Sequence, residues 1–162
     1  MDSNPPPQPP LDAGAVIALA QRVLRIEAAA LEAMARRIGP EFVQAVELLL
    51  NRQGRVIVCG IGKSGHVARK LAATLASTGT PAYFVHAAEA AHGDLGMITD
   101  KDVVIALSNS GTSEELLTIV PLVKRQGAQL IAMTGNPASP LAAAADVHLD
   151  AAVQEEACPL NL

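Results

Sequence analysis

The sequence predicts an α/β fold, a three-layer αβα sandwich around a five-stranded parallel sheet. Short apolar runs rich in Val and Ile alternate with stretches whose apolar residues recur at helical spacing, and strands separated by helices imply parallel crossover units. Half of the 162 residues are apolar, yet only one Tyr and two Phe are aromatic, so the core is built from Ala, Val, Leu and Ile, a palette suited to helices on a sheet. Glycines stand at the junctions where a strand hands over to a helix.

Residues 1–11 read as a disordered tail, because five of the first ten are proline. A single domain is expected over 12–162. Asp12 is a plausible N-cap, and Val16, Leu19, Ala20, Val23, Leu24, Ile26, Leu31 and Met34 follow at helical spacing until Gly39-Pro40. A second helix is expected over 41–51, with Phe42, Val46 and Leu49 or Leu50 inward. The first strand is 55–59. A helix over 64–77 follows, with Val67, Ala68, Leu71, Ala72 and Leu75 on one face and Gly79 as its stop. Strands at 82–85, 103–107, 129–133 and 147–149 complete the sheet. A loop or short helix covers 87–98, and helices cover 114–125 and 139–145.

Composition removes several function classes. A formal charge of −4 gives no general attraction to nucleic acid or acidic lipid. So few aromatics leave no stacking platform for single-stranded bases. No apolar run approaches the ~20 residues that cross a bilayer, and the N-terminus lacks the features of a signal peptide. Cys59 and Cys158 make no disulfide framework, so a reducing cytoplasm is the simplest compartment.

In a doubly wound sheet ligands sit beyond the carboxyl ends of the strands. One such loop reads Cys59-Gly60-Ile61-Gly62-Lys63-Ser64-Gly65-His66. It precedes a helix start, whose free N–H groups and partial positive charge suit a phosphate. Gly60, Gly62 and Gly65 match the dinucleotide pattern literally, but the acidic residue expected after the next strand is absent, where the chain reads Tyr83-Phe84-Val85-His86. A Walker A loop also fails, since its first glycine falls on Ile57.

The second loop, Ser108-Asn109-Ser110-Gly111-Thr112-Ser113-Glu114-Glu115, crowds small polar residues around one glycine. An ordinary N-cap, with Thr112 or Ser113 capping and Glu115 completing a capping box, uses only one of them. The surplus favours a phosphate held by hydroxyls and helix N–H groups. Two such loops suit a monophosphate, and no cofactor or metal is required; Cys158 and His92 lack zinc-pair spacing.

At these residues the chain resembles a SIS domain, the sugar isomerase module, whose sheet is flavodoxin-like. The segments from Ala88 to Met97 and from Glu156 to Leu162 narrow the resemblance to the D-arabinose 5-phosphate isomerases, from about Ala13 to the last residue. The resemblance implies an enzyme interconverting ribulose 5-phosphate and arabinose 5-phosphate for Kdo synthesis. It implies phosphate binding by Gly62, Ser64, Ser108, Asn109, Ser110 and Ser113, and active-site roles for Lys63, His92, Glu115 and Glu156. It implies a small-molecule sugar phosphate partner, no nucleic acid or membrane partner, and a homotetramer. Thr112 stands where the family usually has Glu, and the family continues past Leu162, so a truncated chain is expected.

For aldose–ketose isomerisation, Glu115 and Glu156 are candidate bases, Glu156 being expected to be partly buried; without the resemblance, Glu115 reads better as a solvated helix carboxylate beside Glu114. Lys63 suits an oxyanion. His92 suits ring opening, or a structural bond to Asp94. His66, His86 and His148 are expected to be structural. A non-catalytic sugar-phosphate sensor and a nucleotide-binding oxidoreductase are the rival readings.

Overall fold

The computed structural model describes residues 11–91 and 94–158, so the expected tail lies outside the described residues apart from Leu11. These residues fall into two compact units. One comprises 11–35 and 153–158; the other comprises 36–152 and holds the sheet.

The larger unit contains α2 (Pro40–Asn51), β1 (Val56–Gly60), α3 (Gly62–Ser77), β2 (Ala82–His86), α4 (Ala87–Ala91), a 3-10 turn (Asp94–Met97), β3 (Val103–Leu107), α5 (Glu114–Arg125), β4 (Gln129–Thr134), α6 (Pro140–Ala144) and β5 (Val147–Asp150). The five strands are all parallel in the order β2-β1-β3-β4-β5. The predicted fold class and element order are found, with ends shifted by a residue or two.

Alternation along the strands sorts the core into two faces. Ile57, Cys59, Val104, Ala106, Leu130 and Ala132 pack with Leu116, Ile119, Val120 and Val123 of α5 and with Ala87 and Ala90 of α4. Val56, Val58, Val103, Ile105 and Ile131 pack on the other face with Ala45 of α2 and Ala68 and Ala72 of α3. Every residue of β1 and β3 is buried, as a sheet covered on both sides demands. Burying each such Val or Ile contributes roughly 1.5–3 kcal/mol before chain entropy is charged against it.

Two inward faces differ from expectation. In α2 the buried side is Ala45 with half-buried Leu48 and Leu49, while Phe42, Val46 and Leu50 are exposed. In α3, Val67 is exposed and the helix meets the sheet through Ala68 and Ala72. The reason is distance: small residues let a helix axis approach the strands closely, and the larger neighbours are turned aside. The same closeness appears where α3 begins. A Cβ on Gly60 would stand 2.9 Å from the Ser64 carbonyl oxygen, so strand end and helix start touch backbone to backbone.

The amino end of the sheet is fastened by Asp102, only 2% exposed. Its Oδ1 accepts from the Arg55 N–H at 2.7 Å, and its Oδ2 accepts from the Thr99 N–H at 2.8 Å and the Thr99 hydroxyl at 3.0 Å. The Arg55 guanidinium pairs with Asp102 Oδ1 at 3.7 Å, donates to the Met97 carbonyl at 2.8 Å and lies 5.1 Å from the Tyr83 ring centre. Burial alone would raise the Asp102 carboxyl pKa. The donors from Arg55 and Thr99 outweigh it and hold the group below the ordinary value.

In the smaller unit, α1 (Ala13–Arg37, whose last two residues belong to the larger unit) opens as predicted, with Asp12 Oδ1 accepting from the Ala15 N–H at 3.1 Å. None of its residues is buried; Ile17, Leu24 and Leu31 are each more than half exposed. Arg22 pairs with Glu155 at 3.0 Å. Among the described residues no helix is long and apolar enough to cross a membrane.

Candidate functional site

The order β2-β1-β3-β4-β5 places its reversal between β1 and β3, where connections leave toward opposite faces. Gly60 and Leu107, the last residues of these strands, are register partners. The loops that follow them therefore start side by side.

The β3–α5 loop is ordered by its own hydroxyls. Ser108 is buried and its Oγ accepts from the Gly111 N–H at 3.1 Å while lying 2.9 Å from Ser113 Oγ. Ser110 Oγ accepts from both the N–H and the hydroxyl of Thr112, at 3.2 and 2.9 Å. These contacts leave a defined remainder. The Ser108–Ser113 pair holds two O–H hydrogens and one shared bond, so one hydrogen is left to donate. Ser110 Oγ receives twice, and its own O–H has no acceptor among the described residues. The loop thus keeps hydroxyl hydrogens to donate, which beside two helix starts suits an anion.

Ser113 occupies the N-cap position of α5 but its side chain caps nothing. The alternative of a capping box is not realised: with Ser113 at the N-cap, Glu115 stands at the second helical position, one short of the box, and the Ser113 hydroxyl meets Ser108 instead. The first helical bond is from the Leu117 N–H to the Ser113 carbonyl, so α5 opens with unspent N–H groups. Helix α3 does the same: Ile61 is its N-cap, without a side-chain bond, and the first helical bond is from the Gly65 N–H to the Ile61 carbonyl at 3.0 Å. By contrast α6 is capped in the ordinary way, Ser139 Oγ accepting from the Ala142 N–H at 3.3 Å. Both starts flanking the reversal are uncapped, as is that of α2 at Gly39, and the two at the reversal present positive partial charge beyond the sheet.

The predicted site residues distribute as follows. Gly62, Lys63 and Ser64 form the opening turn of α3, with Lys63 exposed and Ser64 half-buried. Ser108, Asn109, Ser110 and Ser113 lie on the neighbouring loop, Asn109 and Ser110 exposed. Glu115 is exposed in the first turn of α5 beside Glu114, so carboxylates flank the donor-rich loop. Glu156 belongs to the smaller unit and is exposed, not partly buried as expected. His92 lies outside the described residues.

Of the three histidines expected to be structural, His86 and His148 have such bonds, while His66 is exposed. His86 Nδ1 accepts from the Ala88 N–H at 3.3 Å, and His148 Nε2 meets the buried Thr134 hydroxyl at 2.9 Å. Burial pushes the Cys59 thiol up to about 12, which removes it as a nucleophile at neutral pH. Among the described residues no three of His, Cys, Asp and Glu gather as a metal would need.

Sequence reasoning missed the turn between β4 and α6, which braces the phosphate-type loop. The Gly135 N–H donates to the Asn109 carbonyl at 2.8 Å, and the Leu141 N–H to the Gly111 carbonyl at 3.2 Å. Gly135-Asn136-Pro137 and the Ser-Pro pair hint at a turn there, but its contact with residues about thirty positions earlier has no local signature.

Residues 49–161 match the SIS domain family. The chain is 64% identical over 143 residues to the arabinose 5-phosphate isomerase KdsD of Pseudomonas aeruginosa, covering 88% of this chain and 44% of that protein. It thus spans less than half the length of such curated relatives. Among solved structures, a protein of Escherichia coli CFT073 in complex with A5P superimposes with a TM-score of 0.88 at 43% identity, covering 94% of this chain and 81% of that one. The sugar isomerase domain of an RpiR transcription factor from Sphaerobacter thermophilus superimposes at 0.75 with 25% identity, covering 83% and 75%.

Proposed function

The chain belongs to the SIS domain family, and from that premise we propose that it is the isomerase portion of an enzyme interconverting D-ribulose 5-phosphate and D-arabinose 5-phosphate. The observation that carries the reading is the spare hydroxyl donors of the β3–α5 loop beside two uncapped helix starts. Such a cradle suits the phosphate of a small sugar, and the relative solved with A5P supports that choice.

In this reading the residues divide the work. Gly62, Ser64, Ser108, Asn109, Ser110 and Ser113 take the phosphate and anchor the unreactive end of the sugar. Binding there holds C1 and C2 in place for proton transfer. A carboxylate, Glu115 or Glu156, removes the proton from one carbon and returns it to the other, through an enediol. Lys63 steadies the oxyanion that develops meanwhile. His92 assists ring opening or orients hydroxyls. No metal takes part. The product enters Kdo and lipopolysaccharide synthesis in the cytoplasm, and the exposed apolar residues of α1 and α2 are covered in a homotetramer.

The test is direct. The purified chain, and the chain extended to the length of its curated relatives, are given ribulose 5-phosphate and assayed for arabinose 5-phosphate. Formation of the aldose by the extended protein is expected, with light scattering reporting a tetramer. A second reading, a non-catalytic sugar-phosphate sensor, is favoured by the likeness to the RpiR domain. Binding of arabinose 5-phosphate with no turnover in the extended protein would select it.

A further inference from the structure

We propose that Ser139 is a positioning residue that sets the shape of the Ser108–Ser113 loop by packing against Gly111; the inference deepens the sugar-phosphate reading and rests on it. Ser139 is 1% exposed and sits at the start of α6, on a different crossover from the loop it touches. A Cβ built on Gly111 would fall 2.1 Å from Ser139 Oγ and 2.4 Å from Ser139 Cβ. No real atom tolerates such distances, so Gly111 and Ser139 share one space and neither can grow without displacing the other.

The contact is one side of a two-point lock. The Gly111 carbonyl accepts from the Leu141 N–H at 3.2 Å, two residues beyond Ser139. The Asn109 carbonyl accepts from the Gly135 N–H at 2.8 Å, and a Cβ on Gly135 would stand 2.7 Å from Asn109 Oδ1. Gly111 itself has φ +67° and donates to Ser108 Oγ at 3.1 Å. A shift of Gly111 is therefore passed straight to Ser108, whose hydroxyl is shared with Ser113. The donor arrangement of the loop is tied to the size of the atom on Ser139 Cβ.

Ser139 also caps α6, so its two roles must be separated. Ser139→Ala removes the cap and adds no bulk. Ser139→Cys puts a larger atom where Oγ stands, against Gly111, and Ser139→Val adds more. Each is compared in the 162-residue chain by melting temperature, by the backbone amide shift of Gly111 without ligand, and by affinity for inorganic phosphate. The expected pattern is a lowered melting temperature in all three. The Gly111 amide moves in the Cys and Val variants, and their phosphate affinity falls about tenfold against that of Ser139→Ala. A Gly111 amide at the same place in Ser139→Cys as in Ser139→Ala overturns the lock, whatever the loop binds. A displaced Gly111 with undiminished phosphate affinity overturns the positioning role. Unmodified protein that takes up no phosphate at all overturns the functional reading, and the positioning role with it, while the amide shifts still report whether the lock exists. Should Ser139→Val fail to fold, Ser139→Cys carries the comparison.

Discussion

The two ends of the sheet handle polar groups in opposite ways. At the amino end, the buried Asp102 spends its oxygens on the N–H groups of Arg55 and Thr99 and on the Thr99 hydroxyl. At the carboxyl end, Ser113 declines to cap its own helix, and the loop around it keeps hydroxyl and amide hydrogens in reserve. Both ends are rich in donors. One closes its donors on a carboxylate that the chain supplies; the other holds them open for an anion from outside. The lesson is that a hydroxyl-rich turn is informative only after its own bonds are counted, because what remains decides which ligand fits.

The largest effects should come from the chemistry at the open end. In the extended protein, Glu115→Gln and Glu156→Gln each test a candidate base, and whichever is the base should lose about 10²–10⁴ in kcat with KM little changed. Equal, full activity in both would break the assignment of a carboxylate base. Next comes the closed end. Asp102→Ala strands the Arg55 and Thr99 donors and should cost about 3 kcal/mol of stability by denaturant titration. The folded fraction should keep its phosphate affinity. Loss of phosphate binding ahead of unfolding would mean that the two ends are not independent.

A smaller effect sharpens the contrast. Ser113→Ala removes a hydroxyl that caps nothing, so stability should change by less than about 1 kcal/mol, below the usual cost of a lost cap. Phosphate affinity should nevertheless fall roughly 10- to 100-fold, the worth of one hydrogen bond to a charged group. Calorimetric titration with phosphate reads the second quantity, thermal melting the first. A large loss of stability with unchanged affinity would make Ser113 an ordinary helix-start residue.

Much of this division is legible in the sequence, and the part that is not has a physical reason. Periodicity locates β3 and α5 to the residue, because a fully buried Val-Ile run and a helix begun by Ser and stopped near Gly127 are local signals. The Ser108–Ser113 loop is visible as a surplus of small polar residues. Which face α2 and α3 turn inward is not visible, since Ala45 and Ala68 win over Phe42 and Val67 through close packing that depends on the whole sheet. Nor are the roles of Asp102 and Ser139, whose distant partners Arg55 and Gly111 lie 47 and 28 positions away. The fate of the Ser113 hydroxyl falls between. The sequence offers cap and ligand as alternatives, and only the bond to Ser108 decides against the cap.

The ends should also differ in their response to acid, and this is the smallest effect. Asp102 has its pKa below the ordinary value of 3.8 in the folded state, because its donors outweigh the desolvation that opposes them. A carboxyl depressed on folding gives stability that is fully present above the unfolded pKa and is lost as pH falls through the folded one. The denaturant midpoint should therefore hold level from neutral pH down to about one unit above the unfolded value, and decline below that. Asp102→Asn removes the titrating group, so its midpoint starts lower and loses part of this acid slope. The open end answers at higher pH and for another reason: a phosphate monoester gains its second proton near pH ~6, so affinity should weaken there while stability does not. If the midpoint of the unmodified protein and that of Asp102→Asn decline in parallel below pH 4, Asp102 is not the group that ties the amino end to pH, and the carboxylates exposed on the helices carry the acid sensitivity instead.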